Sequence, residues 1–197
     1  STTVKMITGL LEPSGGQVLL DGRDIREDLI GFRRRLGYVP EEAILYSYLS
    51  GLEYLQLTGR LRGLPEGVVT RRANDLLEAF SLAPHRHGAI ASYSKGMKQR
   101  VLISAALMHD PDVLILDEPL SGMDVTTAQL FKHLLDELAG QGKMILYISH
   151  VLEVVEKVCA RVIVIHQGQI KADGSVEQLR GLMHLPSLVE IFSELIE

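Results

Sequence analysis

An α/β domain with a largely parallel sheet flanked by helices is the fold class this sequence predicts, and three observations predict it. First, residues 113–116 read Val-Leu-Ile-Leu. An unbroken apolar run, rather than an alternating one, marks a strand covered on both faces, as in a parallel sheet between helical layers. Second, further apolar runs at Leu36–Val39, 144–149 (MILYIS) and 161–166 (RVIVIH) are separated by stretches of helical periodicity. Third, two of the runs end in polar side chains suited to chemistry, Asp117-Glu118 and His150. In open parallel sheets ligands bind just beyond the carboxyl ends of the strands.

Length and composition set the limits. With 197 residues, 46% hydrophobic and 23% charged, the chain can bury one sizeable core or two small ones and reads as an ordinary globular protein. A net charge of −5 argues against a nucleic-acid surface, which needs a basic face. The run Arg33-Arg34-Arg35 reads as a solvated helix face. The single cysteine, Cys159, excludes an intramolecular disulfide and fits a reducing compartment. No apolar run approaches the ~18 residues of a membrane span, and no signal-peptide pattern opens the chain. Any membrane role is therefore expected to come through a partner.

In order, Ser1-Thr2-Thr3 opens a helical pattern carried by Val4, Ile7 and Leu11. Hydroxyls there fit a helix cap, and equally the tail of a phosphate-binding loop. Glu12–Gly16 is a turn, QVLLDG a short strand ending at Asp21-Gly22, and Glu27–Arg35 a short helix. Leu36–Val39 is the next strand, closed by Pro40-Glu41-Glu42, and 43–49 (AILYSYL) has no clear strand period. Ser50-Gly51-Leu52-Glu53 is a capping box, so a helix should run to about Arg62, with a second over Glu66–Phe80. Ala83–Ala91 is a loop, whose His85 and His87 lack further ligands at metal spacing. Ser94 caps a helix from about Gly96 to His109, and Val125–Ala139 is a helix with Leu130, Leu134, Leu135 and Leu138 inward. MILYIS reads as a buried strand that delivers His150 to the same edge as Asp117 and Glu118. Leu152–Val158 is a helix, RVIVIH another apolar strand, and Gln167-Gly168 a hairpin turn into QIKADG. Two short helices, about Val176–Leu182 and Ser187–Ile196, finish the chain.

Adjacent carboxylates at a strand tip suit a metal-nucleotide site. The first can hold Mg²⁺, usually through water, and the second can orient or deprotonate an attacking water. The plainer alternative is an exposed Asp-Glu pair after a core strand.

With these stretches placed, the chain resembles the ATP-binding subunit of an ABC transporter, a P-loop NTPase, along nearly its whole length. Ser1-Thr2-Thr3 looks like the end of Walker A, with its glycines and lysine upstream of residue 1 and the N-terminal strands missing. Tyr38-Val39-Pro40-Glu41 looks like the Q-loop with Glu for Gln. Tyr93-Ser94-Lys95-Gly96-Met97 looks like the signature motif, normally LSGGQ. Asp117-Glu118-Pro119 resembles the end of Walker B, Ser121–Asp124 the D-loop, and Ser149-His150 the H-loop. Each match is short; six in order and at plausible spacing are hard to obtain by chance.

The resemblance implies ATP and Mg²⁺ as cofactors. Ser1, Asp117 and Glu41 would serve the metal, Thr2 the phosphates, and Glu118 would be the general base, with His150 contacting the γ-phosphate. Ser94, Lys95, Gly96 and Met97 would meet the γ-phosphate of ATP held by a second copy, and Asp124 would cross that interface. It implies a core of residues 1–40 and 110–180, a helical subdomain of 41–109 and a helical tail of 181–197. The expected function is to power a membrane transporter by ATP-driven dimerisation, on the cytoplasmic face of the inner membrane through a transmembrane permease. YSKGMKQ, the Glu-bearing Q-loop and LYISHVLEVVE look most like the bacterial exporter branch. Ile44, Leu45, Tyr46, Tyr48 and Leu49 could dock the permease or pack the helical subdomain. Two other readings are a soluble ATPase of this type acting on DNA or ribosomes, for which no coiled-coil insertion or basic arm is present, and a non-catalytic piece, inactive alone.

Overall fold

The computed structural model describes residues 2–42, 45–120, 125–183 and 187–196, with backbone alone at 125–128, 130 and 196. Two compact units divide it, the first ending at Ile148 and the second starting at Ser149.

The first unit runs α1 (Thr2–Ile7), β1 (Leu19–Leu20), β2 (Arg23–Asp24), α2 (Leu29–Arg35), β3 (Leu36–Val39), α3 (Gly51–Leu61), α4 (Glu66–Ala79), α5 (Lys95–Leu107), β4 (Val113–Asp117), α6 (Val125–Gly140) and β5 (Met144–Ile148). Single 3-10 turns at Ala83–His85 and Ile90–Ser92 break what the sequence suggested was plain loop. Its sheet is parallel, in the order β3-β4-β5, with Tyr38 opposite Ile115 and Asp117 opposite Ile148. All five residues of β4 are buried, as its apolar run requires of a central strand.

Alternation along the strands sorts the two faces. Leu36, Val113 and Ile115 pack with Val4 of α1 and Phe32 of α2, joined by Tyr38, Leu146 and Ile148. The opposite face receives α5, and Gly37 permits that approach: a Cβ there would lie 2.6 Å from the carbonyl oxygen of Ala106.

A separate apolar core holds the helical stretch together. Leu55, Val69, Leu77, Leu82, Ile90, Val101 and Met108 are fully buried in it. The capping box forms as expected: Glu53 N–H donates to Ser50 Oγ at 3.2 Å while Ser50 N–H donates to Glu53 at 2.8 Å. These reciprocal bonds, to the Ser50 backbone first, hold the Glu53 carboxyl below the usual range. His109, just beyond α5, rests Nε2 on Leu36 O at 3.0 Å and leaves Nδ1 buried without a partner. Burial, reinforced by Arg62, pushes this imidazole down to about 4.

The second unit comprises α7 (Leu152–Val158), β6 (Val162–His166), β7 (Gln169–Gly174), α8 (Val176–Met183) and α9 (Leu188–Ile196). β6 and β7 form an antiparallel hairpin. Gln167 and Gly168 both have positive φ, 49° and 75°, the geometry that suits a two-residue hairpin turn. Arg161 grips Asp173 with two bonds of 2.7 and 2.8 Å, and Arg180 pairs with Glu156.

Several expectations need correcting. β5 is half-buried rather than buried, with Met144 exposed, because it pairs on one side alone among the described strands. β6 alternates, Val162 and Val164 inside and Ile163 and Ile165 outside, since a two-stranded hairpin covers one face. The QVLLDG strand contracts to Leu19–Leu20, paired antiparallel with β2. The solvated face expected of Arg33-Arg34-Arg35 is found, all three being exposed, and within it Arg35 bridges Asp112 and Asp21 at 2.6 and 2.8 Å while Arg33 donates to Gly9 O at 2.8 Å. On α6 the fully inward residues are Phe131 and Leu135, with Leu134 and Leu138 half-buried. The side chain of Leu130 lies outside the described residues.

Candidate nucleotide site

β4 carries Asp117 to its carboxyl end, where the side chain is 6% exposed. Odd-numbered residues of this strand face α1, so Asp117 lies on the α1 side of the sheet. Its carboxyl is pushed above the ordinary value, by burial foremost and then by the charges of Glu41 and Glu118. Glu41 follows directly after β3, whose last residue, Val39, pairs with Leu116. Asp117 thus feels two further carboxylates at the tip of two neighbouring strands, an arrangement that suits a cation.

Glu118 is half-buried and its backbone is left-handed, with φ 50°. That conformation costs a non-glycine residue about 1 kcal/mol or more and is typical of functional turns. Its N–H donates to Ile148 O at 2.9 Å, which extends the β4–β5 ladder by one residue and fixes where the carboxylate leaves the sheet. The sequence assigns Tyr38 no role of its own. It sits on the Asp117 face, one pair back along β3, and its hydroxyl is pushed up by burial and by the Asp117 charge.

The donor set fits Mg²⁺ with ATP. Carboxylate oxygens are hard ligands, and Mg²⁺ characteristically takes one or two of them, completing its shell with water and phosphate oxygens. Among the described residues no three His, Cys, Asp or Glu side chains converge into a protein-only metal cage.

At the start of α5, Ser94 is the N-cap and its Oγ accepts from Met97 N–H at 3.2 Å. Ser94 and Lys95 are exposed, Gly96 and Met97 half-buried. No acidic residue occupies the first turn, so nothing within that turn offsets the positive end of the helix dipole, and Lys95 adds to it. Thr2 is exposed at the first residue of α1. His150 follows two residues after Ile148 and belongs to the second unit. Ser1 and Asp124, with the rest of 121–124, lie outside the described residues, as does Ile44.

Comparison with known proteins accords with this geometry. The family model described as ABC transporter matches residues 1–121. The ABC transporter ATP-binding protein NatA of Bacillus subtilis (strain 168) is 37% identical over 180 residues, 91% of this chain and 73% of that protein. The phospholipid-transporting ATPase ABCA3 of Mus musculus is 34% identical over 180 residues, 91% of this chain but 11% of that protein. A solved structure of the ATP-binding subunit of an ABC transporter superposes with a TM-score of 0.90 at 34% identity, covering 98% of this chain and 82% of that one. The chain belongs to the ABC transporter family as a nucleotide-binding domain, an ATPase of P-loop fold.

Proposed function

We propose that this domain hydrolyses ATP at the tip of β4 to drive an exporter, closing on a second copy of itself when ATP is bound. The observation that carries the reading is the buried Asp117 with Glu118 directly after it, on the sheet face that holds α1. Asp117, with Glu41 and Ser1, would hold Mg²⁺, which when bound offsets phosphate charge. Thr2 would donate to phosphate at the start of α1. Glu118, held by its backbone bond to Ile148, would orient water and accept its proton, and His150 would contact the γ-phosphate.

The exposed start of α5 supports the dimer. Ser94 and Lys95 are exposed, with Gly96 and Met97 half-buried behind them, so the helix start and the Lys95 charge are placed where the γ-phosphate of ATP on another copy could meet them. Asp124 would cross the same interface. Among the described residues no helix is long and apolar enough to cross a membrane. A transmembrane permease would supply the path and hold the domain on the cytoplasmic face, a reading supported by the transporter ATP-binding proteins that the chain resembles. Tyr48 at 76% exposed and Tyr46 at 50% follow Glu41 and meet at a 39° tilt, ring centroids 6.0 Å apart, which suits docking of an apolar helix. The exporter assignment rests on the YSKGMKQ and Pro-Glu variants.

Glu118→Gln in the full protein tests the chemistry. Gln keeps the shape and cannot accept a proton, so ATP affinity should stay within about twofold while turnover falls about a hundredfold or more. Steady-state turnover close to wild type would reject the assignment.

A further inference from the structure

We propose that Tyr93 is a positioning residue that ties Ser94 and the start of α5 to the segment 47–52, so that the two move as one body. The inference rests on the reading of Ser94 as a phosphate contact across the dimer.

The tie is visible bond by bond. Residues 86–91 lie alongside 47–52: Ile90 N–H donates to Leu49 O at 2.8 Å, Ala91 N–H to Ser47 O at 2.8 Å, and Leu52 N–H to Arg86 O at 3.1 Å. Ser50 and Ala89 form an isolated antiparallel bridge within this ladder. The ladder ends two residues before Tyr93, which is 5% exposed. The Tyr93 hydroxyl donates back to His85 O at 2.6 Å, closing the stretch 85–93 into a loop immediately before the Ser94 cap. The ring also meets the His85 ring edge-on, centroids 6.5 Å apart.

Gly51, the first residue of α3, supplies the other half. It is buried, and a Cβ there would lie 2.7 Å from Tyr93 Oη. That separation is too short for any methyl, and the phenol in its way is held by the His85 carbonyl. Helix capping alone places no such demand: the capping box pairs the Ser50 and Glu53 N–H groups and Arg86 O takes the Leu52 N–H, and none of these bonds requires position 51 to lack a side chain. The missing side chain at position 51 therefore makes room for the hydroxyl of Tyr93, and through it α3 registers against α5. Segment 47–52 contains the exposed Tyr48 and directly follows Tyr46, so a displacement of those aromatics reaches Ser94 through backbone hydrogen bonds and one phenol.

The test uses the full protein with a non-hydrolysable ATP analogue, measuring analogue affinity at low protein concentration and analogue-driven self-association by sedimentation. Gly51→Ala should leave affinity within about twofold and weaken association about tenfold, because a misplacement of an ångström or less is costly at a shared site. Tyr93→Phe should weaken it about threefold. The double variant should return to the Tyr93→Phe level, since removing Oη opens the space the new methyl needs, and this relief, read in association while analogue affinity holds, is what a general loss of packing would not produce. Losses that simply multiply in the double variant, or Gly51→Ala at wild-type association while Ser94→Arg abolishes it, overturn the proposal and leave the reading of Ser94 intact. Ser94→Arg that still associates refutes that reading, and the proposal with it. Should Gly51→Ala fail to fold, the double variant must fold and associate like Tyr93→Phe, or the proposal is wrong.

Discussion

At the tip of β4, Glu41 and Glu118 bear on the almost fully buried carboxylate of Asp117; at the start of α5, the first turn carries no acid, Lys95 adds a positive charge and Ser94 stands in solvent. The first region gathers negative charge around one buried carboxylate, with Glu118 half-buried and Glu41 exposed. The second presents positive charge and is open. On the function proposed above, Mg-ATP would answer both, with its metal and its terminal phosphate: the first region would take nucleotide within its own chain, and the second would meet nucleotide brought by another copy.

Asp117→Asn breaks the first half and should give the larger effect. Loss of one charge-assisted contact, about 1.5–3 kcal/mol, should weaken Mg²⁺-dependent ATP binding about tenfold or more. The same substitution should raise the melting temperature of the nucleotide-free protein. Because burial raises the folded-state pKa of Asp117, the folded protein holds this proton more tightly than the unfolded chain. Its charge therefore costs stability above the raised pKa, and the cost is relieved as pH falls toward the ordinary carboxylate value. Thermal scans of both proteins between neutral pH and about pH 4 should show the wild-type deficit shrinking relative to the Asp117→Asn variant. A variant that melts lower than wild type at neutral pH would contradict a cation-seeking site.

Lys95→Glu sharpens the second half with a smaller effect. Reversing a charge at an exposed helix start changes its interaction with an anion by about 0.3–1 kcal/mol, so analogue-driven association should weaken about two- to fivefold. Added salt should weaken wild-type association and strengthen that of the variant, because screening removes an attraction in one and a repulsion in the other. Parallel salt dependences would place Lys95 away from the phosphate.

Much of both regions could be read from the chain alone, and the reasons differ. Ser50 with Glu53 and Ser94 before its helix are local signals, decided within four residues, and both caps formed. Asp117-Glu118 was legible because a string of buried residues must end where charge begins. The string itself was ambiguous: Val113–Leu116 lies between two parallel neighbours and is wholly buried, while the similar run Val162–Ile165 pairs with β7 and exposes every second residue. Nothing in an apolar sequence tells one environment from the other. Tyr38 beside Asp117, the left-handed backbone of Glu118, and the fit of Tyr93 over Gly51 all depend on which residues the sheet and helices bring together. Such partners are far apart along the chain, and periodicity carries no record of them.

Complementation between two disabled proteins tests the central claim most directly, that one ATP is served by Glu118 of one copy and Ser94 of another. Glu118→Gln and Ser94→Arg, each purified alone in the full protein, should retain at most about a hundredth of wild-type turnover. In a mixed dimer, one composite site loses both groups while the other keeps an intact Glu118 and an intact Ser94. An equal mixture should therefore recover turnover, to about a quarter of wild type if a single intact site works by itself. A mixture no more active than its components would contradict the account.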